Sequence, residues 1–301
     1  ADVQVNVFYY AIARASVVSP KGGVTVQAGA VTAEVNIAHS NVTTHAIAAI
    51  LGSGSIGASS ARADDITLTA QGYTLALSSV AASDISFSGA KIAANQLTAE
   101  LNSLQQAYLQ DATVFADTLT ISSVLNDETY YMDTDSLALT KTSGANTRYG
   151  GAYAIHGGNG GSFSLVSAAV NAATANSNAK GYAYTDSAIT DLTGALTVSS
   201  TGLSKALAQT ASGITFSVVS IGVTVMTATA SGEFKAYVRS GKGNRTAAKN
   251  FVISTNYGAN ATAETAQTGT QVALANVNVN MATGVRDITV LVWLGPESCR
   301  L

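Results

Sequence analysis

Asp117–Ser123 reads D-T-L-T-I-S-S, a turn residue followed by an apolar-polar-apolar core and a small polar end. The same shape recurs at Gly22–Ala28 (GGVTVQA), Asp64–Ala70 (DDITLTA), Asp84–Gly89 (DISFSG), Gly194–Ser200 (GALTVSS) and Asn250–Thr255 (NFVIST). Alternation with a period of two marks a strand with one buried and one wet face. Ile66 and Ile85 are 19 residues apart, Val24 and Ile66 are 42 apart, and Leu196 and Phe251 are 55 apart. These spacings cluster near multiples of about 20, the period of stacked solenoid coils. Leu119 and Leu196, 77 apart, fit only with insertions. The pattern predicts an all-β chain, either a β-solenoid (parallel β-helix) or a stacked β-sheet body. At about 20 residues per coil, it would form a rod of roughly 70 Å.

The flanks carry the same alternation. Val3, Val5 and Val7 alternate with Asp2, Gln4 and Asn6, and Val277, Val279 and Met281 alternate with Asn276, Asn278 and Asn280. Ile288–Trp293 (ITVLVW) is apolar on both faces, as in a strand covered on two sides. Ala-rich stretches such as Val31–Ser40 place small side chains where stacked interior positions are tight. Residues 94–110 (ANQLTAELNSLQQAYLQ) break the pattern: Leu97, Leu101, Leu104, Tyr108 and Leu109 recur at helical spacing. A short helical insertion, lateral or capping, is expected there. The Gly-rich run within Tyr149–Ser164 suggests two β-rich halves, 1–150 and 151–301, or one continuous domain with a long loop.

Composition narrows function. The 301 residues hold 15 Lys+Arg, 18 Asp+Glu, two Pro and one Cys, and 11% are charged against about 25% in an ordinary domain. Nucleic acid is excluded as a partner, because no basic stripe can neutralise phosphates. Disorder does not suit a chain that is 47% hydrophobic. The single Cys299 excludes an internal disulfide. No run of 18 apolar residues is present, so no membrane-spanning helix is expected. A first residue of Ala, with no basic or apolar leader after it, suggests numbering from a processed mature chain.

Chemistry-bearing residues are sparse. His39, His45 and His156 lack metal-ligand spacing. In the acidic run NDETYYMDTDS, Asp133 and Asp135 alternate as calcium ligands do, which makes a structural calcium the one cofactor to consider. Tyr130 and Tyr131 beside these acids would suit a sugar-binding or sugar-cleaving cleft. Lys235, Arg239, Lys242, Arg245 and Lys249 gather a third of the cations. They suit contact with an acidic glycan or a neighbouring subunit, or simply a charged turn that blunts an edge.

The six strings, together with the block Val219–Val238 (VSIGVTVMTATASGEFKAYV), resemble the β-solenoid regions of large bacterial surface exoproteins, the filamentous haemagglutinin-like and leukotoxin-like adhesins. The resemblance implies a secreted, extended, non-enzymatic stalk or adhesive surface. The ending VLVWLGPESCRL looks like the last strand of secreted fibre-forming β-sandwich subunits. The expected function is therefore that of a secreted or cell-surface filament subunit or adhesin acting through strand edges. Its partners would be other copies of itself or a surface glycan or protein. Assembly is expected through Val3, Val5 and Val7 at one end and Ile288, Val290 and Val292 at the other. The alternative is a β-helical protein that binds or cleaves polysaccharide.

Overall fold

The computed structural model describes residues 1–18, 26–82, 85–158, 161–211, 214–239, 245–266, 271–295 and 299–300. Among these, the chain is all-β. The first strands are β1 (Val3–Val18), β2 (Val26–Leu51), β3 (Ser55–Ile56), β4 (Ala63–Ala82), β5 (Ile85–Gln110) and β6 (Thr113–Leu125). Next come β7 (Tyr131–Asp133), β8 (Ala138–Thr140), β9 (Thr147–Arg148) and β10 (Gly151–Gly158). Then follow β11 (Gly161–Asp186), β12 (Ile189–Leu192), β13 (Ala195–Ala211) and β14 (Ile214–Val238). The last are β15 (Arg245–Ala247), β16 (Asn250–Ala266), β17 (Gln271–Leu294) and β18 (Cys299–Arg300). No helix among the described residues is long and apolar enough to cross a membrane.

Two parallel sheets dominate. One runs β17-β14-β11-β5-β2, and every neighbour in it is parallel. The other stacks β1 on β4, β4 on both β6 and β10, these two on β13, and β13 on β16. Short strands β3, β12, β15 and β18 extend it beside the start of β6. The sheets face each other. Ile66, Leu68, Leu119, Ile121, Leu196 and Val198 of one bury against Leu109, Ala183, Ala236 and Val238 of the other. A second core zone, around Ala76, Val80, Leu97, Leu101 and Met226, is filled by many Ala, the small residues that a close approach of two sheets demands.

The registers correct the 20-residue period. Ile66, Leu119, Leu196 and Phe251 lie directly above one another, at intervals of 53, 77 and 55 residues. Ile66 and Ile85, by contrast, lie in strands of different sheets. The recurring strings fall in strands of both sheets, so their spacing in sequence is not the spacing of stacked levels. Five levels replace the long rod. Of the six strings, residues 22–25 and Asp84 lie outside the described residues.

The expected helix at 94–110 is strand. It lies within β5, paired on one side with β2 and on the other with β11. Leu97, Ala99, Leu101, Ser103, Gln105, Ala107 and Leu109 are all buried, a strict period of two. The helical spacing mixed the two faces, since Leu104 and Tyr108 point away from the core row. Ladders on both flanks, with burial of every second side chain, outweigh the helix preference of Leu, Gln and Glu.

The lateral insertion sits elsewhere. Residues 126–150 leave the third level between β6 and β10 and fold into the antiparallel sheet β8-β7-β9. Gly72 of β4 pairs with Leu125 and Leu75 pairs with Gly151, so the excursion replaces two residues of an otherwise continuous level. This also accounts for the 77-residue interval. Met132 joins Tyr73, Leu75, Leu77 and Tyr153 in a separate cluster on the outer face of the sheet. Asn126, with φ of 54°, opens the excursion, and its Oδ1 accepts from Thr74 N at 2.7 Å. Sheet pairing crosses residue 150, since β10 is bonded to both β4 and β13.

Candidate functional site

Stacking in register turns each sequence position into a column of side chains running through all levels. On the five-stranded sheet, Phe87, Phe163 and Phe216 stack face to face, with ring centroids 5.0 and 4.9 Å apart. Tyr108, Tyr184 and Tyr237 do the same at 4.8 and 4.9 Å, with rings 2° from parallel. Both spacings match the distance between neighbouring strands. Asn36 Nδ2 donates to Asn95 Oδ1 at 2.9 Å, and Asn95 Nδ2 donates to Asn171 Oδ1 at 2.7 Å, an amide ladder along the same axis. Burial pushes the Tyr184 hydroxyl up to about 12 and also raises that of Tyr237.

The end levels leave these columns open. Among the described residues, β17 and β2 each pair with one neighbour only. From Leu274 to Leu294 every side chain of β17 is exposed, on both faces. Its apolar members include Leu274 (89% exposed), Val277, Val279, Met281, Val290 and Trp293. At the other end, Val31, Val35 (70%) and Ile37 of β2 stand exposed. A long apolar strand with a free edge is a template for another strand. The other sheet ends likewise: β1 bonds to β4 and β16 to β13.

The expected assembly residues fall on these end levels, in different sheets. Val3, Val5 and Val7 lie in β1, half-buried against the core, whereas Ile288, Val290 and Val292 lie exposed in β17. They are not brought together, because continuation of one sheet cannot join a β1 edge to a β17 edge. Missed by the sequence reading were the β2 edge and the aromatic ladders. A signal was present: Phe87 to Phe163 and Tyr108 to Tyr184 are both 76 residues, and the next steps are both 53. Equal intervals between like aromatics mark equal registers.

The basic residues are placed singly. Lys235 pairs with Glu233 on its own strand and lies 5.4 Å from the Tyr182 ring centre. Hydrogen bonds from Lys235 and Tyr182 hold the Glu233 carboxyl below its usual range. Arg239 Nη1 lies 3.6 Å from Asp186 Oδ2 of the adjacent level. Lys242 lies outside the described residues, and Arg245 begins β15 with its side chain outside them.

In the insertion, Asp133 Oδ1 accepts from the backbone N–H of Asp135 at 2.8 Å and of Ser136 at 3.0 Å, bonds that lower its pKa and close a turn. Asp135 receives Arg14 Nη1 at 2.9 Å and Asn146 Nδ2 at 2.6 Å, tying the excursion to β1. Asp127 accepts from the buried Tyr73 hydroxyl at 2.6 Å. Among the described residues, no three His, Cys, Asp or Glu side chains gather as metal ligands. Tyr131 and Tyr149 stack with centroids 4.5 Å apart, and the Lys205 ammonium lies 5.4 Å from the Tyr149 ring.

No protein-family model, curated protein or solved structure matches this chain.

Proposed function

We propose that the protein is a secreted or cell-surface structural protein, a non-enzymatic β-solenoid that works through the free strand edges of its end levels. The observation that carries this reading is β17, exposed on both faces from Leu274 to Leu294, where Ile288, Val290, Val292 and Leu294 stand on Gly232, Phe234, Ala236 and Val238, all buried one level further in. Soluble proteins that remain monomers blunt such edges with Pro, bulges or inward charge, and β17 carries one inward charge, Arg286, in its 24 residues. The alternation of the chain between two facing sheets, level by level from β1 and β2 to β16 and β17, supports the solenoid. Self-association into filaments is the favoured mode. Sedimentation velocity over a dilution series, with negative-stain microscopy, tests it: concentration-dependent polymer is expected, and a monodisperse monomer throughout overturns it. Removing residues 1–8, which strips the first six of the 16 residues of β1, should abolish the polymer.

A second reading is favoured by the insertion. The Tyr131–Tyr149 stack beside Lys205 would suit a surface glycan, with aromatic faces for the sugar and a cation for an acidic group. Binding is favoured over cleavage, because Asp127, Asp133 and Asp135 are each committed to bonds within the fold. Loss of glycan-array signal in Tyr149→Ala, with the polymer intact, would support it, and an array blank for the native chain would exclude it.

A further inference from the structure

Resting on the self-association reading, we propose that copies stack head to tail in one defined register: β17 of one copy lies parallel to β2 of the next, and β16 lies parallel to β1. The pairing follows from extending the observed ladders by one level. On the five-stranded sheet it sets Val279 opposite Val35 of the next copy, Met281 opposite Ile37, Leu291 opposite Ile47 and Leu294 opposite Ile50. On the facing sheet it sets Phe251 opposite Val3, Ile253 opposite Val5 and Ala261 opposite Ala13.

Three columns argue for a second copy rather than an unrelated strand. Asn280 occupies the position of Asn36, Asn95 and Asn171 in its level, separated from Asn171 by Thr224, so it meets Asn36 of the next copy and sets an amide against the first member of the ladder at the joint. Trp293 lies under Tyr237 in the tyrosine column, and the top of that column is Ala49, which leaves room above Tyr108 for a large ring. Val272 likewise closes the phenylalanine column below Phe216, and Ala28 opens it above Phe87. In the tyrosine column the large Trp293 at one end thus meets the small Ala49 at the other, and in the phenylalanine column Val272 meets Ala28. The alternation also agrees in both sheets, since core-facing Phe251 and Ile253 fall on Val3 and Val5, which pack on the same core. A shift of one residue would set every one of these on the wrong face. One column is discordant: Arg286 of β17 stands in the row of Val42, Leu101 and Ala230, all buried. An inward charge on an edge strand weakens pairing without forbidding it.

The test uses full chains carrying Cys299→Ser, with Val35→Cys in one preparation and Val279→Cys in the other. Opposed residues in neighbouring parallel strands are about 4.8 Å apart, within disulfide reach, whereas Val35 and Val279 of one chain lie four levels, roughly 19 Å, apart. Mixing and mild oxidation should give a cross-linked dimer that neither preparation gives alone. Pairing Ile37→Cys with Val279→Cys, two residues out of register, should lower the yield about tenfold. Polymer that cross-links best in the shifted pair, or within one preparation, overturns the register while self-association stands. Absence of both polymer and cross-link overturns the two together.

Discussion

Asn95 shows how one side chain can serve several levels at once. Its amide accepts from Asn36 and donates to Asn171 in an almost fully buried position. Asn95→Ala leaves both neighbours short of a partner, so a loss of about 1–3 kcal/mol is expected, read as a lower midpoint in urea unfolding. Asn95→Gln, longer by a methylene, should not rescue it, because the ladder spacing is set by the backbone. Gly202 is constrained by space: a Cβ there would overlap the Phe234 ring and lie 3.0 Å from Leu125 O. Arg286 acts on association instead. Stacking another copy onto β17 desolvates its guanidinium over Val42, and removing an uncompensated buried charge is worth several kcal/mol at most. Arg286→Ala should therefore lower the critical concentration for polymer at least about tenfold, measured by pelleting, with monomer stability unchanged. An unchanged or higher critical concentration would show that the guanidinium is not covered in the polymer.

Among the elements, the insertion at 126–150 is the one whose role separates from the stack. It spans a gap of two residues and covers Tyr73, Leu75, Leu77 and Tyr153, side chains that point away from the core between the sheets. Replacing residues 126–150 by a two-residue link should keep the far-UV signal of a parallel β body. The four uncovered side chains cost about 1.5–3 kcal/mol each when fully exposed, so several kcal/mol of stability and new binding of an apolar dye are expected. Collapse of the β signal would show instead that Asn126 and the Arg14–Asp135 bridge are needed to close the third level. Sequence alone revealed the strands here but not which of them stack. Asp117–Ser123 announces a strand through its own alternation, yet its neighbours in space, Ile66 and Leu196, are set by contacts that no local pattern records. Residues 94–110 misled for a related reason. Leu97, Leu101, Leu104 and Tyr108 have helical spacing by coincidence of two faces, and only the buried odd row, with Ser103 and Gln105 in it, reveals the strand. The end-level strands were legible at Val3–Val7 from alternation and at Ile288–Trp293 from a run apolar on both faces, although that run is exposed on both faces in β17 and not covered on two sides. Their assignment to different sheets was not.

At the scale of the whole molecule, several buried tyrosines tie stability to pH. Burial raises the hydroxyls of Tyr73, Tyr153, Tyr182, Tyr184 and Tyr237, with the Asp127 and Glu233 carboxylates adding to the effect at Tyr73 and Tyr182. An unfolded tyrosine ionises near pH 10, whereas folded Tyr184 ionises at about 12. Between these values the folded chain holds more protons than the unfolded one, so stability falls as pH rises. The contribution is complete below pH 10 and is lost as pH climbs through 12. The ring of Tyr184 lies 4.8 and 4.9 Å, centre to centre, from those of Tyr108 and Tyr237, so a charge placed on it is held inside the stack. Tyrosinate absorbance followed together with far-UV circular dichroism should therefore show ionisation lagging behind that of free tyrosine. The late-ionising fraction should appear in step with the collapse of the β signal. Titration of all 12 tyrosines near pH 10 with the β signal intact would mean that the stacked columns open to solvent without unfolding.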